Sequence, residues 1–201
     1  MSLRTVTIAA LLLMTAGEAA ASPTSRDPLK APKGEYVIDK AHASLVARVS
    51  HMGFSHYTMR FDRIAGQFAY DPAAWSSTQA VITVDPASVS TGNPDFDRQI
   101  AGSQFFDAAK YPQITFVTSA IEAHDDGLGR IDGQLTFHGV TRPVSLDVAF
   151  NGVGPGMLGV GVRLGFSGTA HIKRSDFGVT AVSPLVGDDV DLVFEAEFTR
   201  K

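Results

Sequence analysis

The sequence predicts an all-β protein whose main domain is an eight-stranded antiparallel barrel with a short helical insertion near residues 88–112. The first observation is alternation, because large apolar residues occupy every second position over much of the chain. This is the period of a strand with one buried face. The second observation is that the apolar positions share one face throughout. A single closed sheet explains such a common face without a second layer.

The first 21 residues predict a signal peptide. Arg4 precedes an apolar run from Val6 to Ala16, and Ala19-Ala20-Ala21 offers small residues for cleavage, which is typical of an exported chain. The run is shorter than the roughly 20 residues that a membrane-spanning helix needs. We therefore expect a protein that does not span the membrane and is periplasmic, or secreted, after cleavage near Ala21.

Residues 22–34 contain three prolines, several charges and few apolar side chains. Such a segment buries too little apolar surface to become ordered, so we expect a disordered linker. No later shift in composition and no repeat of fixed period is visible. Residues 35–201 are therefore expected to form one domain.

The strands follow from the alternation, which is clearest in residues 144–150, VSLDVAF. Asp126-Gly127 is typical of a hairpin turn, and a turn around Gly139 joins the next pair of strands. Segment 36–38 counts as a prefix of the strand after it. The eight predicted strands cover residues 36–38 with 43–51, 64–70, 80–84, 113–123, 129–137, 144–150, 158–166 and 190–198.

Residues 88–112 interrupt this pattern. A structureless loop of about 25 residues is uncommon in a compact domain unless it serves a function. We expect a short helix near residues 95–100 and a turn around Phe105-Phe106. Such an insertion could close one end of the barrel.

Composition and charge exclude several functions. The formal net charge is −4 and lysine and arginine are not clustered, so no basic surface for nucleic acid is expected. The chain has no cysteine, which excludes a Cys-based zinc site and a thiol nucleophile. His42, His51 and His56 match no recognised metal-ligand spacing. We expect neither a metal nor a cofactor.

Several motifs in order resemble the YceI-like family, over nearly the whole chain from Tyr36 to Phe198. The motifs are DKAHAS (39–44), HMGFS (51–55), SVSTGN (88–93), FFD (105–107), YPQITF (111–116), GQLTFHGVTRPV (133–144) and KRSDFG (173–178). The resemblance implies a lipocalin-like periplasmic barrel whose elongated apolar cavity binds polyisoprenoid chains, including quinone tails, without established catalysis. One departure is that Gln99-Ile100 stands where the family commonly has a His-Leu pair.

Alternation alone does not decide whether the inward side chains fill the barrel or line a cavity, since eight-stranded barrels do either. With the resemblance, we expect a non-enzymatic protein holding a long-chain isoprenoid lipid, and leave dimerisation open. The predicted ligand-binding residues are Leu45, Ala47, Val49, His51, Met52, Phe54, Phe68, Ile82, Phe116, Leu135, Phe137, Leu146, Val148, Phe150, Val160, Val162, Leu164, Phe166, Leu192 and Phe194.

Two other functions stay open at this point. An outer-membrane barrel also has alternating strands, but it needs an outward apolar face with aromatic girdles, and this chain has one tryptophan. An enzyme acting on an isoprenoid or haem-type substrate would depend on His51 or Asp97. Arg174 is expected to pair with a carboxylate, with Asp97 as the candidate.

Overall fold

The computed structural model describes residues 24–124 and 127–201, apart from the side chain of Met157. The predicted signal peptide and the Asp126 position of the hairpin turn lie outside the described residues. Ten strands are present in the described chain. They are β1 (Gly34–His51), β2 (Ser55–Phe61), β3 (Ile64–Tyr70), β4 (Ala80–Val84), β5 (Val89–Ser90), β6 (Ile114–Ala123), β7 (Leu128–Phe137), β8 (Val140–Pro155), β9 (Val162–Lys173) and β10 (Val186–Arg200).

The strands form one antiparallel sheet that closes on itself. β1 pairs with β10 from Tyr36 opposite Arg200 to His51 opposite Val186, and the other neighbours follow the order β10-β9-β8-β7-β6-β4-β3-β1. These eight strands make the closed barrel, which confirms the predicted fold class. The predicted joining of segments 36–38 and 43–51 is also confirmed, because both belong to β1, with an irregularity in register between Ile38 and Ala43.

β2 is a strand that the sequence interpretation missed. One edge of β1 is shared, since its first residues pair with β3 and its last residues, Leu45 to His51, pair with β2. The turn before β2 places Met52 at φ 51° and Gly53 at φ 72°. β2 in turn pairs with the two residues of β5. The part of the wall that lies beyond β2 is therefore built by the insertion, which contains β5, and not by another long strand.

The predicted strand over residues 158–166 begins too early. The chain turns at residues 156–161, and β9 starts only at Val162. Leu158, Gly159 and Gly161 have positive φ angles of 57°, 76° and 74°, which a strand does not contain. The alternation of glycine with apolar residues imitates a strand in sequence, although here the glycines allow the turn.

The insertion contains a helix, α1 (Pro94–Ala101), close to the predicted position. Asn93 caps it, with its side-chain oxygen accepting hydrogen bonds from the backbone N–H groups of Asp95 and Phe96. Pro94 at the first helical position and two aspartates in the first turn favour the same start. Ile100 is buried against the barrel, which fixes the helix on one end of it.

The part of the expected disordered linker that the structure describes, residues 24–34, is ordered instead. Ser25 pairs with Val153 through two backbone hydrogen bonds of 2.8 Å, and Ala31 is buried. The Tyr36 hydroxyl donates to the Pro32 carbonyl oxygen at 2.7 Å, and the Tyr70 hydroxyl donates to that of Pro28 at 2.8 Å. The prolines have no backbone N–H to donate, but the carbonyl oxygens of Pro28 and Pro32 accept hydrogen bonds from tyrosine hydroxyls of the barrel.

The sheet has an apolar inner face and a largely polar outer face. On β10 the inward residues include Leu192, Phe194 and Phe198, whereas Asp191 and Glu195 alternate with them and are exposed. In the part of the chain with described coordinates, no helix has the length and apolar character needed to cross a bilayer.

Candidate functional site

The interior of the barrel contains a cavity of about 1320 Å³. Protein interiors are normally packed so closely that few voids exceed the size of a water molecule. A cavity of this volume is therefore a feature of the fold and not a packing defect. It decides the question that alternation left open, because the inward side chains line a space as well as forming a core.

Sixteen of the twenty predicted ligand-binding residues line this cavity. Their common property is inward direction on a barrel strand, so parity within each strand predicts the lining. Whether each contacts a ligand stays a prediction. The sixteen are Leu45, Ala47, Val49, His51, Phe68, Ile82, Phe116, Leu135, Phe137, Leu146, Val148, Phe150, Leu164, Phe166, Leu192 and Phe194.

The other four predicted residues lie away from the cavity. Met52 and Phe54 belong to the turn between β1 and β2, where Phe54 is 87% exposed. Val160 is exposed in the turn before β9. Val162 is the first residue of β9 and packs against the buried core. Parity fails at Met52, Phe54 and Val160 because it is defined only within a continuous strand, whereas Val162 keeps inward parity and packs into the core instead of lining the cavity.

The insertion and β2 supply lining residues that the sequence interpretation did not include. Phe106 stacks on Phe61 of β2 with ring centroids 5.9 Å apart, and meets Phe137 of β7 edge-on at 5.4 Å. The insertion thus bridges the wall between β2 and β7, consistent with the expectation that it closes one end. The missed lining residues from these elements are Tyr57, Met59, Phe61, Phe96, Gln99, Ile100, Phe105 and Phe106. The alternation of Tyr57, Met59 and Phe61 was the available signal.

The two ends of the barrel differ, and we name them by their elements. The helix end carries the turn 52–54, α1, the turn 102–113 and the loop 178–185. The turn end carries the segment 24–33, the turns 71–79 and 156–161, and residues 124 and 127, which border the connection between β6 and β7. More of the exposed residues on the cavity lining lie at the turn end than at the helix end. Those at the helix end are His51, Gln99 and Val182, and those at the turn end are Arg26, Asp27, Leu29, Glu122, Ala123, His124 and Leu128.

Arg174 borders the cavity at the helix end and is only 7% exposed. Its guanidinium donates four hydrogen bonds to backbone carbonyl oxygens, two in the loop between β9 and β10 and two at the start of β10, which fixes that loop against the strand. The acceptors are Val179 and Ala181 at 2.8 Å, Val186 at 2.9 Å and Gly187 at 2.7 Å. Four well-placed carbonyl dipoles explain how a cation can be buried here.

The predicted pairing of Arg174 with a carboxylate is wrong for Asp97. The Asp97 carboxylate instead accepts from the backbone N–H of Thr91 at 2.7 Å and from the Thr91 hydroxyl at 2.6 Å. It therefore fastens α1 to the residue that follows β5. Sequence spacing could not show this, because the competing partners of Arg174 are backbone groups.

His42 lies outside the cavity in a group of charged residues at the turn end. Its Nδ1 is 3.0 Å from Asp39, and Arg163 donates to both Asp39 and Glu197, at 2.8 and 2.5 Å. Burial alone would raise the pKa of Asp39, but hydrogen bonds from His42, the Ala41 N–H and Arg163 outweigh it and lower that pKa. Asp39, His42 and Glu197 have the spacing of metal ligands, yet the Arg163 guanidinium already pairs with both carboxylates.

A closed antiparallel barrel of eight strands around an apolar cavity belongs to the class of β-barrels that have room for a ligand in their interior. Within that class, the model of the YceI-like domain matches residues 36–198. This chain therefore belongs to the YceI-like family, which confirms the resemblance seen in its motifs.

Relatives and solved structures agree with this assignment. A UPF0312 protein of Vibrio cholerae is 35% identical over 170 residues, covering 84% of this chain and 89% of the relative. The crystal structure of BcnA from Burkholderia cenocepacia is similar at a TM-score of 0.71 and 30% identity, covering 80% of this chain and 98% of BcnA. A polyisoprenoid binding domain from Saccharophagus degradans has a TM-score of 0.62 at 20% identity, covering 84% and 100%; at that identity the likeness shows the fold alone.

Proposed function

We propose that this protein is a non-enzymatic, periplasmic binding protein that holds one long-chain polyisoprenoid or isoprenoid quinone inside its barrel. The observation that carries the proposal is the apolar cavity of about 1320 Å³. Pockets for drug-sized ligands span about 300–1,000 Å³. The larger volume here favours a longer ligand.

The chemistry of the lining favours a hydrocarbon chain. Inward side chains such as Leu146, Leu192 and Phe194 offer no hydrogen bonds, so affinity would come from removal of apolar surface from water. Each buried methylene contributes about 0.8 kcal/mol. A long isoprenoid can therefore bind tightly with little polar recognition.

The ligand class has support from the solved structures. The Saccharophagus degradans domain with the same fold is described as polyisoprenoid binding. At its low sequence identity, no binding residue of that domain is transferred to a position in this chain. The fit between a polyisoprenoid and this cavity depends on the geometry described above.

The two residues considered for catalysis have positions that favour binding over turnover. Asp97 accepts two hydrogen bonds from Thr91 and holds α1 in place. His51 is exposed at the end of β1, and no carboxylate in the described part of the chain is hydrogen bonded to it. A general base needs an orienting partner and a substrate within hydrogen-bond reach.

The periplasmic location rests on the N-terminal sequence. The expected signal peptide over residues 1–21 has the charged start, apolar run and small-residue site of exported chains. Amino-terminal sequencing of the mature protein should give Ser22 if cleavage follows Ala21. A mature form that keeps Met1 would contradict the export proposal and leave the ligand proposal intact.

Mass spectrometry of an organic extract from the protein purified from its own cells tests the ligand. We expect the extract to contain close to one isoprenoid molecule per protein molecule, and not more than one. Leu146→Trp, which would occupy part of the cavity, is the matched control and should carry less lipid. Extracts from both forms with no isoprenoid above the level of an unrelated periplasmic protein would overturn the proposal.

A further inference from the structure

The turn between β8 and β9 presents apolar side chains to solvent. Leu158 is the most exposed large apolar side chain in the described part of the chain, at 94%, and Val160 follows at 76%. No charged residue occurs in residues 155–162. A Cβ atom added at Gly159 or Gly161 would meet no atom within 4 Å outside its chain neighbours, so the turn projects away from the barrel.

The backbone of Leu158 gives a second reason to expect a function for this turn. Its φ angle is 57°, in a region that a bulky side chain rarely adopts and that asparagine adopts more easily. Folding gains little from the leucine in return, because its side chain is almost entirely exposed. An apolar residue held in such a conformation is better explained by a contact outside the chain.

Apolar exposure also occurs on the segment that crosses the turn end. Residues 24–33 begin at β8, with which Ser25 pairs. They then reach β3, where the Tyr70 hydroxyl donates to the Pro28 carbonyl oxygen at 2.8 Å. β8 and β3 lie opposite each other in the ring of eight strands. Leu29 on this segment lines the cavity and is 56% exposed, so the apolar lining continues to the outer surface at this end.

A protein partner or a second copy of the chain is a poor match for this surface. A stable protein interface takes about 20–30 residues from each side, whereas the turn 156–161 offers six residues and no polar side chain that would give a partner specificity. A bilayer needs neither. Arg163, the charged residue nearest to the turn in sequence, is already paired with Asp39 and Glu197, so electrostatics do not select an anionic lipid here.

We propose that the turn 156–161, together with Leu29, docks the turn end of the barrel onto a lipid bilayer. Leu158 and Val160 enter the boundary between the head groups and the acyl chains, and the cavity then opens beside the membrane. An isoprenoid passes between the bilayer and the cavity without exposing its whole chain to water, which is unfavourable for apolar surface. The choice of a bilayer as the partner rests on the proposed function.

Flotation with phosphatidylcholine vesicles that contain no isoprenoid tests the docking surface. The wild-type protein should float with the vesicles, and Leu158→Asn should lower its partition coefficient about tenfold or more, the factor expected from one buried leucine side chain. Asparagine suits a positive φ angle, so the melting temperature should not fall. Phe54→Asn is the matched control, because Phe54 is 87% exposed at the helix end, and it should float like wild type.

An added tryptophan at each end shows which end enters the bilayer. Leu158→Trp and Phe54→Trp both keep the single native tryptophan, Trp75, so a difference between them comes from the added indole. Vesicles with brominated acyl chains should quench the emission of Leu158→Trp more strongly than that of wild type. The emission of Phe54→Trp should show no quenching beyond the wild-type level.

Several outcomes would overturn the docking surface. They are a wild-type protein that does not float, equal flotation of wild type and Leu158→Asn, and equal quenching at the two ends. Binding that requires anionic lipid and disappears at high salt would also overturn it, because charge and not the apolar turn would then dock the protein. A dimer that Leu158→Asn dissociates, seen by light scattering, would assign the turn to a second copy instead.

The proposed function is judged separately, by displacement of a fluorescent polyisoprenoid from the protein in solution without vesicles. Leu158→Asn should bind this probe like wild type, because Leu158 does not line the cavity. A wild-type protein that binds no polyisoprenoid would overturn the proposed function and leave the flotation result standing. Binding of the probe without flotation would overturn the docking surface alone.

Discussion

The turn end and the helix end of the barrel are built from the same sheet but differ in what covers them. At the helix end, α1 and the following turn bring Phe106 between Phe61 and Phe137, and the latter meets Phe177 at 5.7 Å. At the turn end, the described connections contain no α-helix, and the turn 156–161 exposes 94% of Leu158. The helix end is therefore closed by the insertion, which contributes stability there. The turn end leaves the cavity accessible.

The largest expected effect is at Arg174. Arg174→Met leaves the carbonyl groups of its loop without donors, and each unsatisfied buried group costs about 1–3 kcal/mol. We expect the free energy of unfolding to fall by about 3 kcal/mol or more, measured by urea denaturation. Arg163→Met, which removes two partly exposed ion pairs at the turn end, is the control and should cost about 1 kcal/mol or less. Equal losses in the two variants would contradict the assigned difference between the ends.

Phe106 tests the closure of the helix end. Phe106→Ala removes a ring that bridges β2 and β7, and Phe→Ala changes in cores cost about 3–5 kcal/mol. Because Phe106 is partly buried, we expect about 2–3 kcal/mol and faster release of lipid, followed by stopped-flow fluorescence. Phe54→Ala, at an exposed turn, should stay within about 0.5 kcal/mol. A stable Phe106→Ala protein with unchanged release would show that the insertion does not close this end.

Leu164 and Leu146 distinguish a tightly packed part of the cavity wall from a more open part. Leu164 borders the cavity but is 2% exposed and packed into the core near the turn end, so Leu164→Trp should overpack that core at a cost of about 1–3 kcal/mol. Leu146 lines the cavity and is not fully buried, so Leu146→Trp should cost little and reduce bound lipid. Denaturant midpoints and lipid content are measured for both. Strong destabilisation of Leu146→Trp with full lipid content would argue for a filled interior.

The smallest expected effect is a pH dependence on the outer face at the helix-end half of β9. His171 lies between Asp191, 3.0 Å from Nδ1, and Asp189, 3.1 Å from Nε2. The hydrogen bond to Asp191, then that to Asp189, raises the pKa of His171. Its contribution is thus complete below the unfolded pKa of about 6.5 and is lost as pH rises through the higher folded pKa.

The measurement compares wild type with His171→Gln between acidic and alkaline pH by urea denaturation. The stability advantage of wild type should shrink as pH rises, and it should be small because the ion pairs are exposed. An advantage that grows with pH would show that the imidazole is not charged in the folded protein.

The sequence predicted the barrel because inward parity is a local property of each strand. Leu192 and Phe194 reach the cavity for the same reason that they alternate with Asp191 and Glu195. Parity failed where the backbone leaves the strand conformation, as at Leu158, whose glycine neighbours imitate strand alternation. It also could not reveal the partners of Arg174, which are carbonyl groups brought together only by the folded loop.

The candidate site was predictable in its apolar part and not in its polar part. Thr118 has the parity of Phe116 and could have been assigned inward from the sequence. That its hydroxyl has no hydrogen-bond partner among the described residues depends on every neighbouring strand, so only the folded structure shows it. The contribution of the insertion to the wall was likewise hidden, because Phe106 lies in no periodic segment.

The pairing of β1 with β10 also has a consequence for folding kinetics. It joins the first and last strands of the domain, with Tyr36 opposite Arg200, so the ring cannot close before the whole domain is available. Non-local pairings of this kind fold slowly, in milliseconds to seconds, because loop-closure entropy is lost before the contact is gained. Until then both strands present unpaired edges beside an apolar face, the state most prone to association with other chains. Late ring closure therefore makes newly synthesised, still open chains the form of this protein that most needs protection.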